Sequence, residues 1–197
     1  MKLAKIFFFL TLLTATTSAQ AASPWSVGAL AGLDIASTKI TWRNQDLAAV
    51  NGFTGGASAI YKYSDSVSAQ LEALYVQKGY LDRAASTTYS YNYLALPMLT
   101  HLAVPAVHHA YLLVGPEVDI RLSSSSQSGA ASTDVVGIPS LDASLDFGVG
   151  VEGMIAQQYS AFAEIRTSFG LTNLQPTLTA SQKNRTWYFL VGSRFSL

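Results

Sequence analysis

The segment from Leu141 to Gly153 alternates between apolar residues and polar residues or glycines along its whole length. Successive side chains of a β-strand point to opposite faces, so the segment predicts a strand with one apolar and one polar face. The apolar face carries Leu141, Ala143, Leu145, Phe147, Val149 and Val151. The opposite face carries Asp142, Ser144, Asp146, Gly148, Gly150 and Glu152. Such a strand separates an apolar environment from a polar one.

Comparable alternation recurs along the chain and predicts eight strands. Their predicted bounds are Trp25–Ile35, Phe53–Tyr63, Val67–Gly79, Tyr91–Val104, Tyr111–Leu122, Leu141–Gly153, Tyr159–Leu171 and Arg185–Leu197. The connections after the first, third, fifth and seventh strands are long, whereas the other connections are short. Long extracellular loops and short periplasmic turns are typical of outer-membrane barrels. The serine-rich stretch 123–129 falls in a long connection, where we expect a mobile loop.

The first 21 residues have the features of a secretory signal peptide. Lys2 and Lys5 precede the apolar run 6–13, and the Ala-Gln-Ala sequence at 19–21 supplies a cleavage site. The apolar run is too short to span a membrane as a helix. We therefore expect cleavage after Ala21, which leaves residues 22–197 as a single barrel domain.

Hydrophobic residues make up 49% of the chain and charged residues only 12%, which is about half the charged share of a soluble domain. No apolar stretch after the signal peptide reaches the roughly 18 residues of a transmembrane helix. A chain that is hydrophobic overall, yet has no long hydrophobic run, is typical of a membrane barrel. The sequence therefore predicts an all-β fold: an eight-stranded antiparallel up-and-down transmembrane β-barrel in the bacterial outer membrane, surrounded by membrane lipid.

The composition also excludes several classes of protein and site. The chain has no cysteine, which excludes a lipoprotein anchor, disulfides and thiolate metal sites. Its 12 basic residues equal its 12 acidic residues, and loss of Lys2 and Lys5 would leave a slight acidic excess. This balance gives no electrostatic case for binding nucleic acid.

Charged residues concentrate on the polar faces of the predicted strands. The inward set comprises Lys62, Glu72, Lys78, Glu117, Asp119, Arg121, Asp142, Asp146, Glu152, Glu164, Arg166 and Arg194. Buried charges need partners, and an eight-stranded barrel is just wide enough for its own side chains. We therefore predict a closed interior of paired charges, with a narrow water or ion path as the alternative. The fourth strand is apolar on both faces, and we expect Leu94, Leu96 and Met98 to point inward and fill part of the lumen.

Aromatic residues fall near the ends of the predicted strands, where two girdles at the water–lipid interfaces are expected. The predicted periplasmic girdle contains Trp25, Tyr61, Tyr63, Tyr159 and Phe195. The predicted outer girdle contains Phe53, Tyr91, Tyr93, Phe169 and Trp187. The competing interpretation is that aromatic residues simply favour strands.

Five short motifs follow one another along nearly the whole predicted domain. They are LEALYVQKG at 71–79, YLALPML at 93–99, LVGP at 113–116, DFGVGVE at 146–152 and FGLTN at 169–173. Together they resemble the Bacteroidetes-type outer-membrane β-barrel domain family, the PorT-like or "porin family" proteins. The resemblance implies the fold and the location, and little about molecular activity. The chain departs from it at Leu197, where such barrels often end on an aromatic residue.

The sequence offers no catalytic, cofactor or metal site. His101, His108 and His109 fall at the predicted periplasmic end, where we interpret them as interfacial turn residues. A Gly-x-Ser-x-Gly elbow, a phosphate loop and a metal-ligand cluster are all missing from the sequence. We therefore predict no enzyme and no cofactor, and a structural, adhesive or interaction role for the extracellular loops with an unidentified partner. The alternatives are a narrow channel for small solutes, and a soluble periplasmic barrel with reversed faces that binds an apolar ligand.

The final predicted strand is expected to close on the first, because lipid cannot satisfy the backbone groups of an open strand edge. Its apolar face carries Trp187, Phe189, Val191, Phe195 and Leu197. Resemblance to other outer-membrane barrels implies that the barrel-assembly machinery recognises this terminal pattern during biogenesis.

Overall fold

The computed structural model describes residues 23–40, 47–107, 109–129, 131–135, 139–173 and 182–197. These residues form strands β1 (Trp25–Ile40), β2 (Leu47–Lys62), β3 (Val67–Asp82), β4 (Thr87–Ala103), β5 (Ala110–Ser128), β6 (Ala131–Asp134), β7 (Leu141–Ala156), β8 (Tyr159–Gly170) and β9 (Gln182–Ser196). The predicted signal peptide lies outside the described residues, so its cleavage stays a prediction. The described part of the chain contains no helix that is long and apolar enough to cross a membrane.

Eight of these strands close into a barrel. Each pairs antiparallel with its neighbour in the order β4, β3, β2, β1, β9, β8, β7 and β5, and β4 also pairs with β5. The β1–β9 seam runs from the Ser26–Ser196 pair to the Ile40–Gln182 pair. The short strand β6 pairs only with the far end of β5. The predicted eight-stranded antiparallel barrel is confirmed.

The two ends of the barrel differ in their connections. Residues 63–66, 104–109 and 157–158 join β2 to β3, β4 to β5 and β7 to β8 at one end, where β1 also starts and β9 ends. We name this the turn end and the opposite end the loop end. Short turns are periplasmic and longer loops extracellular in outer-membrane barrels. The turn end therefore corresponds to the periplasmic side of the membrane.

The outer surface is apolar and the interior polar. Large exposed hydrophobic side chains form a belt that includes Leu33, Leu112, Val149, Ile165, Phe189 and Val191. The alternating positions place Asp146, Glu164 and Arg166 inside, each at most 3% exposed. A soluble barrel with an apolar binding cavity requires the reverse arrangement, so that alternative is wrong.

Strand β4 presents the opposite faces to those predicted. Leu94 and Met98 are the register partners of Tyr75 and Leu71, and Met98, Tyr75 and Leu71 are all exposed on the outer surface. Partners in an antiparallel pair share a face, so Leu94, Leu96 and Met98 belong to the outer face. The prediction that they plug the lumen is wrong. A strand that is apolar on both faces has no alternating pattern that shows which face points outward.

This orientation of β4 predicts a clear difference between two neighbouring cysteine variants. The natural chain has no cysteine, so Met98→Cys and Leu99→Cys each introduce a single thiol. Met98 is 47% exposed on the outer surface, whereas Leu99 is 3% exposed inside. Each thiol receives a nitroxide spin label in denaturant, and the protein is then folded into vesicles. We expect oxygen dissolved in the lipid to relax the label at residue 98 strongly and the label at residue 99 weakly, because only residue 98 faces the acyl chains. Equal relaxation of the two labels would contradict the observed face of β4.

The strands extend further at the loop end than the sequence predicts. The β3–β4 connection is only the turn 83–86, in which Ser86 adopts a φ of 50°. Strand β5 continues to Ser128 and pairs on one side with β4 and on the other with β6. The serine-rich stretch is therefore an ordered strand and not a mobile loop. The sequence does not predict a strand here, because serine is uncommon in strands and typical of loops.

Most of the predicted aromatic girdle lies on the outer surface. At the turn end, the Trp25 and Tyr61 ring centroids are 4.9 Å apart and those of Tyr159 and Phe195 are also 4.9 Å apart. Tyr63 is exposed at the same end, and Phe53, Phe169 and Trp187 are exposed towards the loop end.

Tyr91 and Tyr93 are the exceptions in the girdle set. They are 1% and 0% exposed and pack inside the barrel with Tyr80. Their assignment to the outer girdle is wrong, because both residues lie on the inward face of β4, which the sequence pattern did not identify.

Candidate functional site

The barrel interior concentrates the charged side chains, and Arg166 of β8 is the centre of its turn-end half. Its two terminal nitrogens donate to the two carboxylate oxygens of Glu72 at 2.6 and 2.7 Å. Its Nε donates to Glu164 at 2.7 Å. Gln70 donates a further hydrogen bond to Glu72 at 2.6 Å. A bidentate arginine–carboxylate pair is both strong and geometrically specific, so it fixes β3 against β8 across the lumen.

Arg194 of β9 extends this turn-end network. It donates to Glu164 at 2.9 Å and to Gln70 at 3.2 Å, and it also pairs with Glu152. Its guanidinium carbon lies 3.9 Å from the centroid of the Phe162 ring, which adds a cation–π contact. The Tyr111 hydroxyl donates to Glu164 at 2.6 Å. Three carboxylates and two guanidinium groups therefore form one continuous network in this half.

Lys78 of β3 is the corresponding centre of the loop-end half. Its ammonium contacts Glu117 at 3.0 Å and Asp119 at 2.5 Å. Ser168 donates to Glu117 at 3.2 Å, and Asn184 donates to Asp142 at 2.9 Å. The ammonium also lies 5.5 Å from the Tyr93 ring centroid. The Lys78 ammonium thus joins β3 to two acids of β5 and lies near an aromatic ring of β4.

The loop-end half holds more carboxylates than this one cation can pair. Asp34 and Asp146 are 0% and 1% exposed, and neither has a hydrogen-bond partner for either carboxylate oxygen within the described structure. Asp119 and Asp142 are direct register partners on β5 and β7, an arrangement in which like charges repel. With Glu117, five carboxyl groups surround Lys78. The predicted pairing of interior charges therefore describes the turn-end half better than the loop-end half.

The structure places the remaining predicted interior residues at the rims. Lys62 is exposed and pairs with Asp65 at 2.8 Å, and this contact lowers the pKa of the Asp65 carboxyl. The assignment of Lys62 to the interior is wrong, because the residue lies at the end of β2. Arg121 is only partly buried and donates to Ser124 at 2.8 Å. Glu152 is partly exposed, with a side-chain accessibility of 26%.

Asp34 is an interior acid that the sequence interpretation missed. It lies between the outward-facing Leu33 and Ile35, and the predicted strand contained all three residues. The same alternation that assigned Asp146 and Glu164 to the interior identifies Asp34. The strand was predicted from the apolar residues of one face, and Asp34 lies on the other face.

The apolar packing inside the barrel also differs from the predicted plug. It consists of Leu30, Leu74, Val76, Ala95, Phe162, Tyr188 and Leu190. Several of these residues interrupt the polar face of an otherwise alternating strand, so the sequence shows short continuous apolar runs such as 73–76 and 189–191. The interior therefore combines two ionic networks with an apolar cluster drawn from five strands.

The described residues contain no group of three or more histidine, aspartate or glutamate side chains placed to hold a metal ion. His101 lies on β4, partly buried, with its ring centroid 3.9 Å from that of Tyr111. It is therefore a strand residue and not the predicted turn residue. His109 does lie in the turn, and His108 falls outside the described residues. The geometry supports structural pairing of charges across the lumen.

Comparisons with known proteins agree with this architecture. The sequence matches the family described as "Outer membrane protein beta-barrel domain" over residues 18–175. Neisserial surface protein A (NspA) is similar in structure, with 17% identity and a TM-score of 0.50 over 90% of this chain and 100% of that one. OprG from Pseudomonas aeruginosa has 11% identity and a TM-score of 0.51 over 89% and 97% of the two chains. No curated protein matches the sequence significantly.

An apolar outer belt around a closed, charged interior defines a transmembrane β-barrel. The family match covers most of the chain, and the protein belongs to the outer membrane protein β-barrel domain family. It is a small β-barrel protein of the bacterial outer membrane, which confirms the predicted location.

Proposed function

We propose that this barrel is sealed and that it acts through its loop end, in a structural, adhesive or interaction role without enzymatic activity. We further propose that it belongs to the PorT-like Bacteroidetes subtype, on the strength of the five ordered motifs from LEALYVQKG to FGLTN. The observation that carries the sealed barrel is the Arg166 network. It joins β3, β8 and, through Arg194, β9 and β7 across the lumen. The interior of an eight-stranded barrel is just wide enough for its own side chains or one small ligand, and the network occupies that space.

The loop end offers a surface that suits a polar partner. Strands β5 and β6 form a hairpin in which Ser125–Ser128 pair with Ala131–Asp134. Side chains of Ser126, Ser132, Thr133 and Asp134 lie in or beside this hairpin, and all four residues of β6 are exposed. Hydroxyl groups both donate and accept hydrogen bonds. The hairpin is therefore the part of the described chain that we propose contacts a partner outside the cell.

A narrow cation path is the second candidate, and the excess of carboxylates around Lys78 favours it. Negative groups lining a water-filled lumen attract cations. The path would have to pass the turn-end network, where Arg166 and its partners are at most 5% exposed. The sealed barrel remains the proposal because both arginines in that half pair with carboxylates across the lumen.

Conductance in a planar bilayer distinguishes the two candidates. We expect the wild-type barrel to show no steady current, because the network around Arg166 closes the lumen. Cation-selective current that falls in Asp119→Asn and Asp142→Asn would support the channel instead.

The role of the loop end is measured separately. The binding of intact cells that carry the full chain is compared with the binding of cells whose chain lacks the 125–134 hairpin. Unchanged cell-surface binding after this deletion would contradict the role proposed for the hairpin.

A further inference from the structure

The outer surface of β9 carries two cationic side chains at the loop end. Lys183 and Arg185 are exposed, whereas the alternating Gln182, Asn184 and Thr186 are buried. The guanidinium carbon of Arg185 lies 5.1 Å from the Phe169 ring centroid and 5.9 Å from that of Trp187. Aromatic residues of this kind mark the membrane–water interface. Arg185 therefore stands at the level of lipid headgroups.

Within the described residues, the strands around this patch place no acidic side chain on the outer surface. The only acidic residues of β1, β8 and β9 are Asp34 and Glu164, and both are buried inside the barrel. The patch is thus suited to an anion supplied from outside the protein.

An apolar groove begins directly below the patch. It has a volume of about 510 Å³ and crosses β4, β5, β7, β8 and β9, with Leu102, Leu112, Phe147, Ile165, Thr167 and Trp187 among its lining residues. Trp187 both borders this groove and contacts Arg185. The groove runs from Trp187 through the apolar belt towards Leu112 and Leu102 near the turn end. It therefore offers an acyl chain an apolar surface that starts at the level of Trp187.

We propose that this face is a binding site for a lipid with a negatively charged phosphate headgroup. Lys183 and Arg185 bind the phosphate, and the groove beneath Trp187 holds an acyl chain. Guanidinium groups suit phosphate because their planar donors match its oxygens. The proposal commits to membrane lipid as the source of the phosphate, because the groove continues from the cationic patch into the apolar belt.

Quenching of Trp187 by brominated lipids tests the proposal in folded protein. Trp25→Phe and Trp42→Phe in the full chain leave Trp187 as the sole tryptophan. The protein is folded into phosphatidylcholine vesicles that contain a minor fraction of brominated phosphatidylglycerol or brominated phosphatidylcholine with the same chains. We expect phosphatidylglycerol to be preferred by about tenfold, and Arg185→Gln to reduce that preference by about fivefold. Thr167→Leu should weaken quenching by filling the groove.

Lys62→Gln is the matched control, because it removes one exposed positive charge at the other end of the barrel. It should leave the preference for phosphatidylglycerol unchanged. An equal loss in Lys62→Gln and Arg185→Gln would reveal general electrostatic attraction and overturn the site. Equal quenching by the two brominated lipids in the otherwise unchanged barrel would also overturn it. Displacement by millimolar inorganic phosphate would indicate a free-anion site and contradict a lipid site.

Discussion

Replacing Arg166 by alanine is expected to destabilise the folded barrel by about 3–5 kcal/mol, because it breaks a buried pair and leaves its carboxylate partners uncompensated. Glu72 and Glu164 each receive hydrogen bonds from Arg166, and both are at most 5% exposed. The free energy of unfolding is measured by urea titration of the protein folded into lipid vesicles. The variant should still open no large conductance, because the rest of the network, in which Arg194 pairs with Glu152 and Glu164, and the apolar interior cluster still occupy the lumen.

Two further variants separate the loss of pairing from the loss of a charge. Lys62→Ala removes a cation from an exposed ion pair, and such pairs contribute little to stability, so this variant should unfold close to the wild type. Arg166→Ala combined with Glu72→Gln removes both partners of the bidentate pair. It should recover part of the stability lost in the single variant, because one of the uncompensated charges is gone. A single variant as stable as Lys62→Ala would show that the Arg166 network does not hold the barrel together.

The sequence predicts the barrel well because lipid on one side and a polar lumen on the other impose a two-residue period on most of its strands. Strands that alternate strongly, such as the one around Asp146 and the one around Glu164, were assigned with the correct faces. The faces of β4 could not be assigned in this way, because it is apolar on both sides. Its orientation follows from its register with β3, and register requires long-range pairing that a single strand does not reveal. The misplacement of Tyr91 and Tyr93 has the same origin.

Which interior acids and bases pair with one another also cannot be predicted without the three-dimensional arrangement. Summed over the strands, predicted acids and bases are nearly balanced, and the sequence suggests one paired network. The structure brings both interior arginines into the turn-end half and leaves Lys78 with Asp34, Glu117, Asp119, Asp142 and Asp146. Which acids share a partner depends on the stagger between strands in the closed barrel. That stagger is set by all eight pairings together.

The last three residues are expected to be required for assembly, because they complete the seam between β9 and β1. The backbone N–H of Leu197 donates to the carbonyl of Trp25 at 3.0 Å, and its carbonyl accepts from the N–H of Ser23 at 3.2 Å. Phe195 pairs in register with Val27 and packs against the Tyr159 ring at 4.9 Å. Deleting Phe195–Leu197 exposes backbone groups of β1 at the membrane boundary, where lipid offers no partners.

We expect the deletion variant, and also Phe195→Asp, to be exported but to lose most of the heat-modifiable band in gels of the outer-membrane fraction. Phe195→Asp places a charge on the lipid face while leaving the backbone intact, so it tests the apolar pattern separately from the hydrogen bonds. Phe195→Tyr is the matched control, because it keeps the ring at the interface and should assemble normally. If Phe195→Asp assembles as well as Phe195→Tyr while the deletion fails, closure of the seam depends on the backbone pairing alone. Normal outer-membrane levels of the deletion variant would contradict the role of β9 in completing the barrel.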